Sequence, residues 1–240
     1  MIKRRILLSA FAILAIIIIL MRLIQFPNKT LFIDGENRTL KFKHQFSTSE
    51  ILDEYQDNFT NSYYFIHKTG ALEGFIIISF PKATKALKKL DEAQIKAKAD
   101  GFVEKYINIA KYSKVDTDYI EGLQYYQFTY TKMIQNYKTT DGVGVTVTSN
   151  GIIEKYGAQN VGIFNKIKMP KINNEMITSA INNYINKRYG NIKYSIDSKI
   201  LDIDENGKIV IKCQVVFNAD SNGTGQGDSF NVDVVNGNVY

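Results

Sequence analysis

The chain reads as an α+β protein, an N-terminal transmembrane helix followed by tandem units in which one helix packs on an antiparallel sheet. Three observations predict this. Ile6 to Met21 is an unbroken run of sixteen apolar or small residues. Two later stretches carry apolar residues at helical spacing, and each precedes segments that alternate at period two. Asn-Gly pairs at 150–151, 206–207 and 236–237 supply tight hairpin turns between those segments.

The opening segment, residues 1–26, reads as a cytoplasmic tail and signal-anchor. Lys3, Arg4 and Arg5 precede the apolar run, which places the N-terminus in the cytoplasm and the remainder outside. The run is somewhat short of the roughly 20 residues that span a bilayer. Arg22 can snorkel to the interface, which extends the span from Ile6 through Met21 to Phe26. A cleaved signal peptide needs small residues at the far end, and Leu20-Met21-Arg22-Leu23-Ile24 has none.

Residues 27–38, with Pro27, Asn28, Gly35 and Asn37, read as a linker. In the membrane-proximal segment, 39–82, Ser47-Thr48-Ser49-Glu50 has the form of a capping box opening a short helix to about Tyr55. Tyr63–Ile66 and Phe75–Ile78 read as a hairpin around Gly70 and Gly74. The first helix-plus-sheet unit is expected over 83–165. Asp91 and Gln94 stand at capping-box spacing, and Ile95, Ala99, Phe102, Val103 and Tyr106 make one apolar face. Strands follow at Tyr126–Tyr130, Val143–Val147 and Ile152–Tyr156. The second unit, 166–240, repeats the order. Asn173 or Asn174 caps a helix with Ile177, Ile181 and Ile185 on one face, Gly190 closes it, and three strands follow at about 193–203, 208–218 and 229–235.

Composition narrows the class. Apolar residues make up 45% of the chain, enough for a real core, and the 3 prolines exclude proline-rich or collagen-like architectures. One cysteine excludes a disulfide scaffold and any multi-cysteine metal centre. The net charge of +6 includes Lys3, Arg4, Arg5 and Arg22; without them 26 basic residues face 24 acidic ones. The excess is therefore largely topology signal, and a nucleic-acid role is rejected. A disulfide-free ectodomain rich in Ile, Lys and Asn suits the surface of a Gram-positive bacterium.

Tyr126-Gln127-Phe128-Thr129-Tyr130, Asp141-Gly142-Val143-Gly144-Val145-Thr146-Val147 and Asn150-Gly151-Ile152-Ile153 resemble the strand-and-turn core of the PepSY superfamily. That group includes thermolysin-family propeptides and membrane-anchored YycH/YycI-type regulators of a sensor kinase. The resemblance extends over about Asp91–Tyr240. It implies a fold of repeated helix-plus-sheet units that binds and regulates a partner, usually without catalysis.

Candidate sites are few. Asp202, Asp204 and Asn206 match the opening of a calcium loop, but the twelfth position is Cys213 and the flanks read as strands, so an acidic hairpin turn is expected. His44 and His67 fall in strand-like segments with no ligand-spaced partner. Cys213 is in phase with Ile211 and Val215, which places it in the core. Gly223-Thr224-Gly225-Gln226-Gly227 leads into a strand rather than a helix, so it reads as a loop and not a phosphate cradle. Tyr125, Tyr126, Tyr130, Tyr137 and Tyr156 read mostly as core and half-buried sheet. The expected function is a single-pass membrane protein whose ectodomain binds and regulates another membrane or cell-surface protein, such as a sensor kinase, peptidase or envelope enzyme. The alternative is a module for a peptide, glycan or lipid of the envelope. No catalytic residues, metal, cofactor or small-molecule substrate are expected.

Overall fold

The computed structural model describes residues 25–78, 89–217 and 226–240. The expected anchor therefore lies outside the described residues except for Gln25 and Phe26, and so do Ile6, Met21 and Arg22. Among the described residues no helix is long and apolar enough to cross a membrane. In chain order the elements are β1 (Lys29–Ile33), β2 (Glu36–Ser47), β3 (Ile51–Gln56), β4 (Ser62–Ile66), β5 (Leu72–Ile76), α1 (Glu92–Val103), β6 (Lys114–Ile120), β7 (Tyr125–Ile134), β8 (Tyr137–Thr148), β9 (Ile153–Gln159), α2 (Asn174–Tyr189), β10 (Tyr194–Ile203), β11 (Ile209–Phe217) and β12 (Gln226–Asp233). The architecture is mixed α+β, mostly sheet, with two helices.

The described residues form two compact units interleaved along the chain. One takes the residues up to Phe102 with Tyr119–Gln127 and Val145–Ala158; the other takes Val103–Asp118, Phe128–Gly144 and the residues from Gln159 to Tyr240.

In the first unit β1, β2, β3, β4, β5 and β9 lie side by side, each antiparallel to the next. The stretch expected as a linker is a hairpin. Asp34 and Gly35 both have positive φ, +52° and +84°, the backbone of a tight two-residue turn, and Leu31 and Ile33 are buried on alternate positions. The helix expected from Ser47 is absent. Thr48 N–H donates to the Glu50 carbonyl, and the chain turns directly into β3. A helix of so few residues would leave most of its terminal backbone groups unpaired, whereas β3 is paired on both sides, to β2 and β4.

Helix α1 starts where its sequence indicates. Gln94 N–H donates to Asp91 Oδ1 at 2.8 Å, and Asp91 N–H donates to Gln94 Oε1 at 3.2 Å, a reciprocal capping box. Ile95, Ala99 and Phe102 are buried, and Phe102 sets its ring edge-on to Phe75 and Tyr156. Phe75 pairs with Tyr63 and Tyr63 with Tyr55, so these side chains share the face that α1 covers. Gly151 closes the β8–β9 turn at φ +80°, where any Cβ would lie 2.6 Å from Leu90 Cδ1.

In the second unit β10, β11 and β12 form an antiparallel meander, and β8 joins β10 in parallel through Lys138 and Thr139. Helix α2 lies on one face. Asn173 Oδ1 accepts the N–H groups of Glu175 and Met176, and Gly190 closes the far end. Ile177, Ile181 and Ile185 are fully buried with Leu201, Ile211, Cys213 and Val215, each isoleucine contributing about 1.5–3 kcal/mol of burial. The turn between β7 and β8 uses Gln135 and Asn136 at φ +48° and +69°. The cost of a left-handed glutamine is offset because its side chain accepts from Ile172 N–H and donates to the Pro170 carbonyl.

Candidate functional site

The face of the first unit's sheet opposite α1 is its distinctive surface. Side chains alternate between faces along each strand. With Tyr55 and Tyr63 turned to α1, the other face takes His44, Glu54, Tyr64 and Gly74, which are successive partners across β2, β3, β4 and β5. The neighbouring row is Phe46, Leu52 and Ile66, all partly buried. Phe46 lies edge-on to Tyr64 with ring centroids 5.8 Å apart, and His44 tilts against Phe46 at the same distance. On the other side of the Glu54 row stand Gln56, Ser62 and Ile76, the last exposed.

Glu54 is the centre of this surface. Its carboxylate is buried although it lies away from the core. Ser62 Oγ donates to Glu54 Oε1 at 2.7 Å and Gln56 Nε2 to the same oxygen at 3.4 Å. His44 Nε2 is 3.2 Å from Oε2, and Lys43 Nζ is 3.9 Å from Oε1. The bulge that sets β2 against β3 between Phe42 and His44 places Lys43 and His44 here. Burying a carboxylate is costly unless its oxygens are satisfied, and these neighbours satisfy them while fixing the strand register. Glu73, the extra residue in the β4–β5 pairing, has its carboxyl pushed above the usual range, by burial first and by the nearby Glu50 second.

The other face holds a matching pair. His67 Nδ1 lies 3.0 Å from both oxygens of Asp53, and Gln45 Nε2 donates to Asp53 Oδ1 at 2.8 Å. A carboxylate that orients an imidazole is half of a nucleophile-activating arrangement. Among the described residues the hydrogen-bonding partners of the two imidazoles are Asp53, Gln45 and Glu54, none of them a hydroxyl or a thiol. Deeper in this face Asp57 accepts from Asn61, Tyr63 and the Phe59 and Asn61 backbone, with Arg38 at 3.5 Å.

The residues singled out in the sequence are dispersed. Asp202 is buried and takes Thr140 Oγ1–H and the Lys212 ammonium. Asp204 Oδ1 accepts the N–H groups of Asn206 and Lys208, and its Oδ2 accepts Tyr240 O–H at 2.7 Å. The two carboxylates thus serve different partners, and Asn206 contributes its backbone to the turn. Among the described residues no group of three or more His, Cys, Asp or Glu is placed to hold a metal. Cys213 is buried in the second unit, which pushes its thiol up to about 11. Tyr130, Tyr137 and Tyr156 are buried, while Tyr125 and Tyr126 are partly exposed. Of the glycine-rich segment, Gln226 and Gly227 begin β12, and Gly223 to Gly225 lie outside the described residues. The Glu54 surface was not foreseen. Its sequence trace is the alternation Leu52, Glu54, Gln56 against Asp53, Tyr55, Asp57, masked by the capping-box pattern just before it.

Residues 51–160, from β3 through β9, match the DUF4901 family model, described as the YcdB, YcdC repeated domain. No curated protein matches the chain. Among solved structures, the Bacillus megaterium YpeB C-terminal domain is similar at 9% identity and a TM-score of 0.37, with 89% of this chain and 87% of that chain covered.

Proposed function

We propose that this chain is a membrane-anchored, extracytoplasmic PepSY-like protein that binds and regulates another membrane or cell-surface protein without catalysing a reaction. The observation that carries the reading is the surface around Glu54. Phe46, Leu52, Tyr64 and Ile66 form a partly buried aromatic and aliphatic patch on the face opposite α1, bordered by Lys43 and His44, whose side chains are about half exposed. Protein interfaces have this composition, an aromatic-rich centre with charges at the rim. Glu54, hydrogen-bonded within the sheet, holds the patch in shape. The match of residues 51–160 to a repeated domain supports a modular role for this part of the chain. In the proposal, Ile6 to Phe26 cross the membrane with the N-terminus inside, and the two units lie outside.

Photo-crosslinking in cells tests this, with the probe placed in turn at Phe46, Tyr64 and, as a control on α1, at the exposed Glu92. The expected result is one protein adduct from Phe46 and Tyr64 that is absent from Glu92 and is lost when residues 1–26 are removed. Adducts of equal yield at all three positions, or no protein adduct, would overturn it.

A further inference from the structure

The second unit also has a sheet face turned away from its helix, and its chemistry is different. Ser198, Gln214 and Ser229 are successive partners across β10, β11 and β12, and Lys138, Ile200, Lys212 and Asn231 form the adjoining row from β8 to β12. Tyr240 lies beside Asn231, to which its backbone is hydrogen-bonded in both directions. A shallow depression of about 400 Å³ is lined by Ser198, Ile200, Lys212, Gln214, Asn231 and Tyr240, among others.

Two features of this surface select a ligand class. The lysine inside the depression is already paired, Lys212 with the buried Asp202, while at the β8 edge Lys138 shares Asp116 with Lys114. The side chains of Ser198, Gln214, Ser229 and Asn231, by contrast, make no hydrogen bond within the protein among the described residues. Uncharged donors and acceptors thus stand in an array spaced about 5 Å across strands and about 7 Å along them. One wall is an aromatic ring held in place, because Tyr240 O–H donates to Asp204 Oδ2 at 2.7 Å and Lys208 Nζ sits 5.6 Å from the ring centroid. The acidic turn that resembles the start of a calcium loop therefore positions a tyrosine.

We propose that this face binds an uncharged glycan. Hydroxyl-rich sugars match neutral hydroxyl and amide side chains, the spacing across strands is close to one residue of an extended β-linked chain, and the Tyr240 ring offers an apolar wall for a pyranose face. An anionic polymer would meet Lys212, whose charge is already spent on Asp202. This site is independent of the Glu54 surface, so either can fail alone.

The test is titration of the full chain, in a zwitterionic detergent without a sugar headgroup, with chitotetraose and cellotetraose, followed by ligand-observed NMR. The expected result is saturable binding to at least one of them. Binding should weaken about tenfold on Gln214→Ala with Asn231→Ala and comparably on Tyr240→Ala. Tyr240→Phe, which keeps the ring and loses the Asp204 bond, should retain part of the affinity, and Tyr64→Ala in the first unit should retain all of it. Circular dichroism of each variant verifies that it is folded. The proposal is overturned by no saturable response to either sugar up to about 10 mM, by binding that these folded second-unit variants leave unchanged, by binding abolished by salt, or by capture of short peptides at these residues in place of the sugars.

Discussion

Asp53 and Glu54 are consecutive on β3, yet their carboxylates leave the strand on opposite faces, and each meets one of the chain's two histidines. Asp53 lies 3.0 Å from His67 Nδ1 and Glu54 lies 3.2 Å from His44 Nε2. Because the side-chain period of a strand is two, a slip of one residue would exchange the faces and break both pairs. The bulge between Phe42 and His44 then becomes part of the same device, since it brings His44 into line with Glu54.

Ser62→Ala removes the shortest hydrogen bond to the Glu54 carboxylate while leaving the strand intact. A hydrogen bond to a charged group contributes about 1.5–3 kcal/mol, so urea denaturation should show a loss of about 1.5 kcal/mol or more. An unchanged midpoint would mean that Glu54 is not held as described.

Asp57 contributes an acid-sensitive part of the first unit's stability. Burial pushes its carboxyl up, but the hydrogen bonds from the Asn61 side chain and backbone, Tyr63 and Phe59 together hold it below its ordinary 3.8. A carboxyl lowered on folding stabilises above its unfolded value, and that stability is lost as pH falls through the lower, folded value. The contribution of Asp57 should therefore decline below about pH 4. Asp57→Asn should be destabilised at pH 7 and show a shallower decline in denaturation midpoint between neutral and acid pH. A decline as steep as that of the unaltered chain would contradict this assignment.

Cys213 should be inert. Its thiol is buried and raised to about 11, so little thiolate forms at pH 8 and reagents cannot reach it. Labelling with a maleimide should be slow in buffer and rapid in denaturant; rapid labelling of the folded chain would place Cys213 outside the core.

Much of the second unit could be read from the residues because its signals are local. Asn206-Gly207 and Asn236-Gly237 make their turns, Asn173 caps α2, and Ile177, Ile181 and Ile185 face the sheet. In the first unit local signals compete with distant pairing. Ser47 to Glu50 has helix-capping chemistry, but β2 and β4 claim the residues that follow as a strand. Gln135 and Asn136 carry no turn glycine, and what permits their left-handed backbone is a bond to a loop 37 residues further on. The Glu54 surface was hidden for the same reason: a bulge and two strand pairings, β2 with β3 and β3 with β4, none visible in periodicity, bring His44, Glu54, Tyr64 and Ser62 together.

The most direct test of the account is the affinity of the protein captured through Tyr64 for the full chain and for its Tyr64→Ala variant, measured by equilibrium titration. An aromatic residue at the centre of an interface costs more than about 2 kcal/mol when truncated, so affinity should fall at least about tenfold while the variant remains folded. Equal affinity of the two folded proteins would show that the Glu54 surface is not where the partner binds.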